Sequence, residues 1–320
     1  MNVLVSGASG FIGSALIPEL EAGGHRAIRL SRSKPSTEDT IRWNPDSGEL
    51  DPSRLEGVDA VVHLAAESVG EGRWTPEKKR RIMDSRREGT RLLSETIAGL
   101  SEPPRVMVSV SGINYYGSRG NELLREESGP GDTFLARVCQ EWEGAADPAR
   151  RAGIRVVHPR FGLVFPQGFS RNLLGLTVGI QHPRFEITFG TRGSTRARLP
   201  VYKLTGGGWI GSGRQFWSWL VAEDVVGVIL HALTTDSLEG PVNAVSSSVT
   251  AREYTTTLNR VLNRPTVFPL PAPLARLALG DFAEEMILAS IRVDSTRLME
   301  SGYEFRYPEL EGAFRHLLGR

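Results

Sequence analysis

Seven residues near the amino terminus carry glycines at a spacing that suits phosphate binding. The segment reads Gly-Ala-Ser-Gly-Phe-Ile-Gly and covers residues 7–13. The first glycine permits a tight turn, the second lets the backbone approach a pyrophosphate, and the third lets a helix pack closely on a strand. Free N–H groups and the positive end of the helix dipole then hold the phosphates. We therefore assign the following residues to a cofactor site: Gly7, Ser9, Gly10, Phe11, Ile12 and Gly13.

The elements on either side of these glycines decide between a cofactor site and an ordinary turn from strand to helix. Residues 1–5 form a short apolar, β-branched run, which is typical of a buried parallel strand. After the glycines, apolar residues recur at helical spacing, at Ile12, Ala15, Leu16 and Leu20. A strand, a glycine turn and a helix in this order predict a dinucleotide-binding unit.

The end of the second strand indicates which dinucleotide binds. Residues 26–30 form an apolar and basic run that is followed by Ser31 and Arg32. NAD sites usually place a carboxylate here for the ribose 2′-hydroxyl, whereas NADP sites place a cation near the 2′-phosphate. No Asp or Glu occurs before Glu38. We therefore predict NADP(H), bound through Ser31 and Arg32; the alternative is a basic surface turn.

Composition limits the class of protein. The chain has 320 residues and a net charge of +1, which does not favour nucleic acid or an anionic membrane as a partner. Cys139 is the single cysteine, so no internal disulfide is possible. No apolar run approaches a membrane-spanning length, and the chain begins directly with a core strand, without a signal peptide. We expect a cytoplasmic protein, monomeric or homodimeric, that acts on a small-molecule substrate.

Strands and helices alternate along the first half of the chain. Residues 58–64 form a buried strand, residues 75–99 a helix that begins with Thr75 and Pro76, and residues 105–111 a further strand. A helix over 133–151 and a strand over 154–157 follow. This order predicts an α/β fold, a Rossmann doubly wound parallel sheet with helices on both faces, whose ligands bind at the carboxyl ends of the strands.

Two stretches of this half receive no strand or site. Residues 35–57 are polar and rich in turn residues, and we assign no regular element to them. The basic run at 78–81 is interpreted as a solvated helix face. We assign residues 1–165 to the NADP-binding Rossmann domain.

The second half, residues 166–320, is predicted to complete the fold. Residues of about 214–245 supply the remaining Rossmann strand and helix, with Asp224 as a helix cap. A helical stretch at 274–291 and the tail at 297–318 complete a small C-terminal substrate lobe over the cofactor cleft. Residues 169–198 have no clean period and five arginines against one acid. This atypical insertion is a functional lid, a poorly ordered loop or a local error of translation frame in the gene record.

Several motifs together resemble a known family, the atypical extended short-chain dehydrogenase/reductases of the epimerase-like group designated 39U. They extend through nearly the whole chain and are residues 7–13, 63–68, 73–74, 85–86, 111–117, 142–143, 211–215 and 302–303. The resemblance implies an NADP-binding Rossmann domain with a small C-terminal lobe and a poorly defined substrate. By position, it assigns cofactor contacts to Ser31, Arg32, Leu64, Ala65 and Arg86. For Arg86, the alternative is a surface arginine on a helix.

Three further residues join the predicted cofactor site. Ala66 and Glu67 continue the end of the third strand, where small residues let the adenosine half pass close to the backbone. Arg160 follows the strand predicted at 154–157. All three lie where a doubly wound sheet binds its ligand.

The usual proton-transfer residues of the superfamily are missing. Most members use a serine, a tyrosine and a lysine four residues after the tyrosine, and the lysine lowers the phenol pKa from about 10. No such pair exists here, because the helix that should carry it contains Phe134 to Cys139 instead. Ser111 and Tyr116 remain as catalytic candidates, with Ser111 donating a hydrogen bond to a substrate carbonyl. The alternatives are a turn-capping serine and a packing tyrosine, and Cys139 is expected to be inert core.

Two functions follow from this pattern. The first is an NADP-dependent oxidoreductase or epimerase-like enzyme that acts on a small carbonyl or hydroxyl compound. The second is an NADP(H)-binding sensor or scaffold without turnover, because its acid–base residues are absent.

Overall fold

The protein is built around a central parallel sheet. The computed structural model describes residues 1–33, 37–165, 208–266 and 268–320. The strands of the sheet are β1 Asn2–Ser6, β2 Arg26–Ser31, β3 Thr40–Asn44, β4 Glu49–Leu50, β5 Ala60–His63, β6 Val106–Ser109, β7 Ser111–Gly112, β9 Arg155–Phe161 and β12 Gly240–Ala244. Outside this sheet lie β8 Leu123–Leu124, β10 Leu163–Phe165, β11 Phe216–Val221, β13 Ser247–Thr250 and β14 Arg292–Val293.

The strand order confirms the predicted Rossmann fold. Within the described residues the order is β12-β9-β6-β5-β1-β2-β3-β4, with β7 pairing with β9. β4 is antiparallel to β3, and the other pairings of this sheet are parallel. The chain adds strands first to one side of β1 and then to the other. The carboxyl ends of β1 and β5 therefore flank a crevice of the kind in which doubly wound sheets bind ligands.

Helices cover both faces of the sheet. They are α1 Phe11–Ala22, α2 Pro76–Ala98, α3 Phe134–Gly144, α4 Asp147–Arg151, α5 Ala222–Thr234, α6 Ala251–Leu262, α7 Ala272–Leu279, α8 Thr296–Glu300 and α9 Leu310–Leu318. Alternate residues of β1 face opposite layers, as a strand requires. Val3 and Val5 lie in the core formed with α1 and α5, whereas Leu4 lies in the core beneath α2.

A second, smaller layer forms the C-terminal lobe. β10, β11 and β13 make a three-stranded sheet, and β8 pairs with β14. An aromatic cluster forms the core of this lobe. In it, Phe165 stacks on Trp219 and packs against Tyr254 and Phe314. Of the stretch 214–245, α5 and β12 join the Rossmann layer, whereas β11 belongs to the second sheet.

Three predicted elements are wrong in detail. Residues 35–57 contain β3 and β4, whose side chains Ile41, Trp43 and Leu50 are buried. These apolar residues are scattered among polar ones, so they gave too weak a signal for a strand. The helix expected over 133–151 is two helices, α3 and α4. The helix expected over 274–291 ends at Gly280, whose φ of +58° favours glycine, and a π-helical turn, Ala283–Ile287, follows.

Two other predictions need comment. Asp224 is not a helix cap, because α5 starts after Val221 and the Asp224 carboxylate accepts hydrogen bonds from the Tyr303 hydroxyl (3.0 Å) and the Arg306 backbone N–H (3.0 Å). It ties the C-terminal tail to the first turn of α5. The insertion predicted at 169–198 lies outside the described residues.

Candidate functional site

The glycine turn joins β1 to α1 and passes very close to the end of β5. Gly7 has a φ of +69°, and a Cβ placed on it would lie 2.9 Å from the backbone nitrogen of Ala65. A Cβ on Gly13 would overlap the carbonyl oxygen of Gly7. The Gly10 N–H donates to that carbonyl over 2.9 Å and closes the turn. Both glycines are thus required for close backbone packing, and this compact turn is the candidate cradle for a pyrophosphate.

The first turn of α1 faces this cradle. Gly10 precedes the helix and supplies no side-chain cap, and the first turn contains no acidic residue. Its positive dipole end is therefore suited to an anion. Ser9 is exposed, Phe11 is half-buried at the rim, and Ile12 packs against the main core. The residues predicted around the glycines thus occupy one turn, between β1 and α1, and the start of that helix.

A buried serine and histidine fix the end of β5, and the sequence analysis missed both roles. The Ser6 hydroxyl oxygen accepts from the backbone N–H groups of Leu64 (3.1 Å) and Ala65 (3.2 Å). It also lies 2.6 Å from His63 Nδ1. Because its lone pairs serve the two N–H groups, its own hydrogen points to His63 Nδ1. Leu64 and Ala65 are thereby held beside the glycine turn.

The His63 ring is neutral. Burial, together with the charge of the nearby Arg86, lowers the pKa of His63 to about 3. Since Nδ1 accepts from Ser6, the ring hydrogen lies on Nε2, which has no hydrogen-bond partner in the described part of the chain. The ring stands edge-on to Trp43, with centroids 6.0 Å apart. An apolar wall therefore supports the strand end.

The end of β2 presents a cation to the crevice side of the sheet. Arg32 is exposed directly after the strand. The Ser31 hydroxyl accepts a 3.2 Å hydrogen bond from the Ser33 N–H and shapes the turn. Residues 34–36, which include Lys34, lie outside the described residues.

Arg86 is buried, so the alternative of a surface helix arginine is wrong. Its Nη1 donates to the carbonyl oxygens of Glu67 (3.0 Å) and Ile82 (3.1 Å), and its guanidinium lies 4.7 Å from the Trp142 ring centroid. Burial lowers the pKa of Arg86 to about 10, which leaves it charged at neutral pH. Ala66, in the same segment, is exposed. Arg86 thus holds the segment that follows β5.

The carboxylate of Glu67 points to the start of α2. Lys78 Nζ donates to it over 2.8 Å and Arg81 Nε over 3.4 Å. Although burial opposes the effect, these two hydrogen bonds hold the pKa of Glu67 below its usual range. The Lys78 side chain is only 6% exposed, so the basic run at 78–81 is not entirely a solvated face. Its first residue anchors the β5 loop to α2.

The Ser111 hydroxyl is engaged by a buried ion pair. It donates to Glu143 Oε1 over 2.8 Å. Arg160 binds the same carboxylate through Nε (2.8 Å) and Nη2 (2.7 Å). Because the single hydrogen of Ser111 is used, its oxygen is left as an acceptor. Cys139 lies beside it on the buried face of α3, and burial raises the pKa of its thiol to about 11.

Tyr116 closes the same network. Its hydroxyl accepts from Arg160 Nη1 (2.9 Å) and donates to Asn243 Oδ1 (2.7 Å). Burial raises the pKa of Tyr116 to about 12, so it does not exchange a proton readily near neutrality. The Arg160 guanidinium also lies 3.5 Å from the Tyr115 ring centroid. Arg160 is 2% exposed and is committed to these partners, not to the crevice.

A cavity of about 260 Å³ lies where the Rossmann layer meets the C-terminal lobe. Most of its lining is apolar; the polar side chains among the described residues are Asn114, Ser218 and Glu285. The apolar and backbone lining consists of Phe11, Ile113, Gly162, Leu163, Val164, Phe216, Trp217, Met286, Ala289 and Ile291. Phe11 belongs to the glycine turn, so the cavity adjoins the predicted cofactor cleft.

Glu285 reaches from the C-terminal lobe to the start of α3. Its carboxylate accepts from the backbone N–H groups of Phe134 (3.1 Å) and Leu135 (2.7 Å). The Thr133 hydroxyl caps the same helix by accepting from the Ala136 N–H over 3.2 Å. Glu285 is thus the titratable side chain of the described cavity lining, and no sequence motif pointed to it.

Other classes of site find no support in the described residues. No helix there is long and apolar enough to cross a membrane. No group of three or more His, Cys, Asp or Glu side chains is placed to hold a metal ion in the same residues.

Comparison with known proteins gives the family. A profile of the NAD dependent epimerase/dehydratase family matches residues 3–137, and a profile of a domain of unknown function, DUF1731, matches residues 270–317. An epimerase family protein of Mycobacterium leprae is 35% identical over 319 residues, which cover 99% of this chain and 96% of the relative. The chain belongs to the epimerase family. The human epimerase family protein SDR39U1 is 33% identical, covering 99% of this epimerase family protein and 100% of the relative.

Solved structures agree with this assignment. The crystal structure of human SDR39U1 (isoform 2) with NADPH matches this epimerase family protein with a TM-score of 0.80 and 31% identity, and the match covers 100% of both chains. MoeE5 in complex with UDP-glucuronic acid and NAD matches with a TM-score of 0.71 at 20% identity and shows the shared fold alone. The resemblance predicted from the motifs is therefore confirmed.

Proposed function

We propose that this epimerase family protein binds NADP(H) and interconverts a small carbonyl compound and its alcohol. The observation that carries the proposal is the glycine turn, which packs so closely that Cβ atoms on Gly7 and Gly13 would overlap backbone atoms of the protein. The pyrophosphate would lie there, the 2′-phosphate beside Ser31 and Arg32, and the adenosine half along residues 64–67. When bound, the nicotinamide supplies or accepts a hydride. The NADPH in the human SDR39U1 structure supports the choice of cofactor.

Charge and composition support the rest of the proposal. A net charge of +1 and one cysteine fit a cytoplasmic protein whose partner is a small molecule rather than nucleic acid or a membrane. We propose a monomer or a homodimer.

Cofactor titration tests the proposal. NADPH should bind about tenfold more tightly than NADH, because Arg32 makes a charge-assisted contact with the 2′-phosphate. Arg32→Ala should remove most of this difference and leave NADH affinity nearly unchanged. Arg26→Ala is the matched control, since Arg26 is an exposed arginine of the same strand that pairs with Asp39. Equal affinity of the unmutated protein for both cofactors would contradict the assignment.

A second function, an NADP(H)-binding sensor without turnover, is favoured by one observation. The hydroxyls of Ser111 and Tyr116 both form hydrogen bonds with the Glu143–Arg160 pair. Helix α3 contains no tyrosine–lysine pair that could transfer a proton in their place. Incubation with NADPH and a panel of small carbonyl compounds discriminates between the two. Oxidation of the cofactor by any compound supports the enzyme; tight NADPH binding without oxidation across the panel supports the sensor.

A further inference from the structure

We propose that Glu285 is the catalytic base of this protein, that Asn114 positions the substrate oxygen, and that the substrate is a small uncharged alcohol or the matching carbonyl compound. The proposal rests on the proposed function, because it assumes bound NADP(H). It follows from the place of Glu285 in the fold, its hydrogen bonds and the lining of its cavity.

Glu285 lies where the superfamily's tyrosine is missing. Short-chain dehydrogenases carry their tyrosine and lysine on the helix that corresponds to α3, and here that helix has neither. The Glu285 carboxylate contacts the first two residues of this helix, Phe134 and Leu135. A π-helical turn presents it, with the Leu288 N–H donating to the Ala283 carbonyl over 2.8 Å. Such turns occur frequently at functional sites.

The carboxylate has capacity left for a substrate. A carboxylate offers about four lone-pair sites, and the two backbone N–H groups use one on each oxygen. The positive end of the α3 dipole stabilises its negative charge. Glu285 is half-buried and belongs to the cavity lining. In the proposed complex, the remaining lone pairs of its carboxylate accept from the substrate hydroxyl. The described contacts therefore fix the carboxylate without exhausting it.

Asn114 lies at the same cavity on the opposite element, in the 3₁₀ turn that follows β7. Its amide nitrogen lies 3.3 Å from the Glu285 carbonyl oxygen and 3.6 Å from Met286 Sδ. Both contacts are long for an amide donor, so exchanging one for a substrate oxygen costs little. Ser218 is less suited, since its hydroxyl already contacts Ser248 Oγ and the Ile291 carbonyl at 2.7 Å each.

The remaining lining selects the class of substrate. The described walls contain aromatic and aliphatic side chains and no Lys or Arg. An anionic substrate would meet the Glu285 carboxylate without a compensating cation, which is costly in an apolar cavity. A volume of about 260 Å³ suits a compact molecule. The cavity therefore favours a neutral, largely apolar alcohol over a nucleotide sugar.

The proposed step balances. The hydroxyl oxygen of the alcohol gives its proton to the Glu285 carboxylate, and the hydroxyl carbon gives a hydride to NADP⁺. The alcohol is oxidised to the carbonyl compound, the cofactor is reduced, and the protonated Glu285 returns its proton to water. In the opposite direction Glu285 acts as the acid.

Binding of cyclohexanol to the protein loaded with NADP⁺ tests the proposal. Saturation-transfer NMR measures this binding. The unmutated complex should bind cyclohexanol, and Glu285→Gln should weaken binding about tenfold by removing a charge-assisted acceptor. Oxidation of cyclohexanol, measured as NADPH formation, should fall by about a hundredfold or more. UDP-glucose should not compete with cyclohexanol.

Two controls separate catalysis from helix capping. Glu284→Gln makes the same chemical change one residue away, on an exposed carboxylate that pairs with Arg276, and should change neither binding nor turnover. Thr133→Ala removes another cap from the start of α3 and should lower stability while leaving cyclohexanol affinity unchanged.

The possible failures are distinguishable. If the unmutated protein does not bind NADPH, the proposed function itself fails. If NADPH binds but cyclohexanol does not, if Glu285→Gln binds it as well as the unmutated protein, or if UDP-glucose displaces it, the assignment of Glu285 and its cavity is overturned. An equal loss of affinity in Thr133→Ala would also overturn it, because helix capping would then explain the effect.

Discussion

The glycine turn and the network around Glu143 lie at the same edge of one sheet and are built in opposite ways. At the turn, glycines let the backbone pack closely, and the uncapped start of α1 offers backbone N–H groups. Around Glu143, the side chains of Ser111, Arg160 and Tyr116 fill the space and satisfy one another. The first region is suited to receive an anion, whereas the second is suited to hold elements together.

This difference bears on where the chemistry occurs. An ion pair that uses the Ser111 hydrogen is poorly suited to proton transfer, and burial keeps the neighbouring Tyr116 protonated. Glu285, in the lining of the adjacent cavity, has a different character, since two backbone N–H groups hold its carboxylate and leave lone pairs for a further donor. Three predictions test the comparison by acting on one region at a time.

The largest effect is expected from breaking the ion pair. Glu143→Gln would leave the charge of Arg160, which is 2% exposed, without a partner and lower the free energy of unfolding by about 3 kcal/mol or more. Urea unfolding measures the change. Glu141→Gln, on the exposed side of the same helix, should be nearly neutral. NADPH affinity of the folded Glu143→Gln protein should persist; its loss would show that the two regions are coupled.

A smaller effect is expected from His63, on the cofactor side. Its pKa is about 3 in the folded protein against 6.5 for a free side chain, so the unfolded chain takes up the proton first as pH falls. Stability from this group is therefore complete above about pH 6.5 and is lost towards pH 3. At pH 5 the loss is about 2 kcal/mol.

The His63 contribution can be measured as a difference in slope. Unfolding free energies between pH 7 and pH 5 should fall less steeply for His63→Gln than for the unmutated protein. Parallel curves for His63→Gln and the unmutated protein would contradict a neutral buried ring.

The smallest effect is expected from Ser111→Ala. It removes one hydrogen bond to Glu143, which Arg160 continues to bind, and should cost about 1 kcal/mol in unfolding free energy. If Ser111 instead polarises a substrate carbonyl, as its place in the sequence predicts, turnover should fall about a hundredfold. Turnover of Ser111→Ala close to that of the unmutated protein, beside a large loss in Glu285→Gln, would assign the chemistry to the cavity.

The fold was largely predictable because its signals are local. The glycine spacing, the apolar strand before it and the helical period after it all lie within residues 1–20. Thr75 and Pro76 likewise mark the start of α2, where the Thr75 hydroxyl accepts from the Lys78 N–H. The prediction failed at β3, because its two buried apolar residues, Ile41 and Trp43, are too few to establish a period.

The candidate site was predictable only where backbone geometry sets it. At Gly7 and Gly13 the backbone passes so close to other backbone atoms that no side chain fits. This requirement is visible in the sequence, because only glycine meets it. The roles of Arg86 and Arg160 depend on what surrounds them, and both are buried against partners on other elements. Glu285 contacts a helix 150 residues earlier in the chain, so no local pattern marks it.

The sequence by itself determined that a strand, a glycine turn and a helix begin a dinucleotide-binding fold, since those preferences act over a few residues. It also determined that the tyrosine–lysine pair is absent. Only the tertiary structure decided that Ser111 gives its hydrogen to Glu143, that His63 is neutral, and that Glu285 meets the start of α3. Burial and hydrogen-bond direction depend on all the elements packed around a group, and packing brings together residues that the chain keeps far apart.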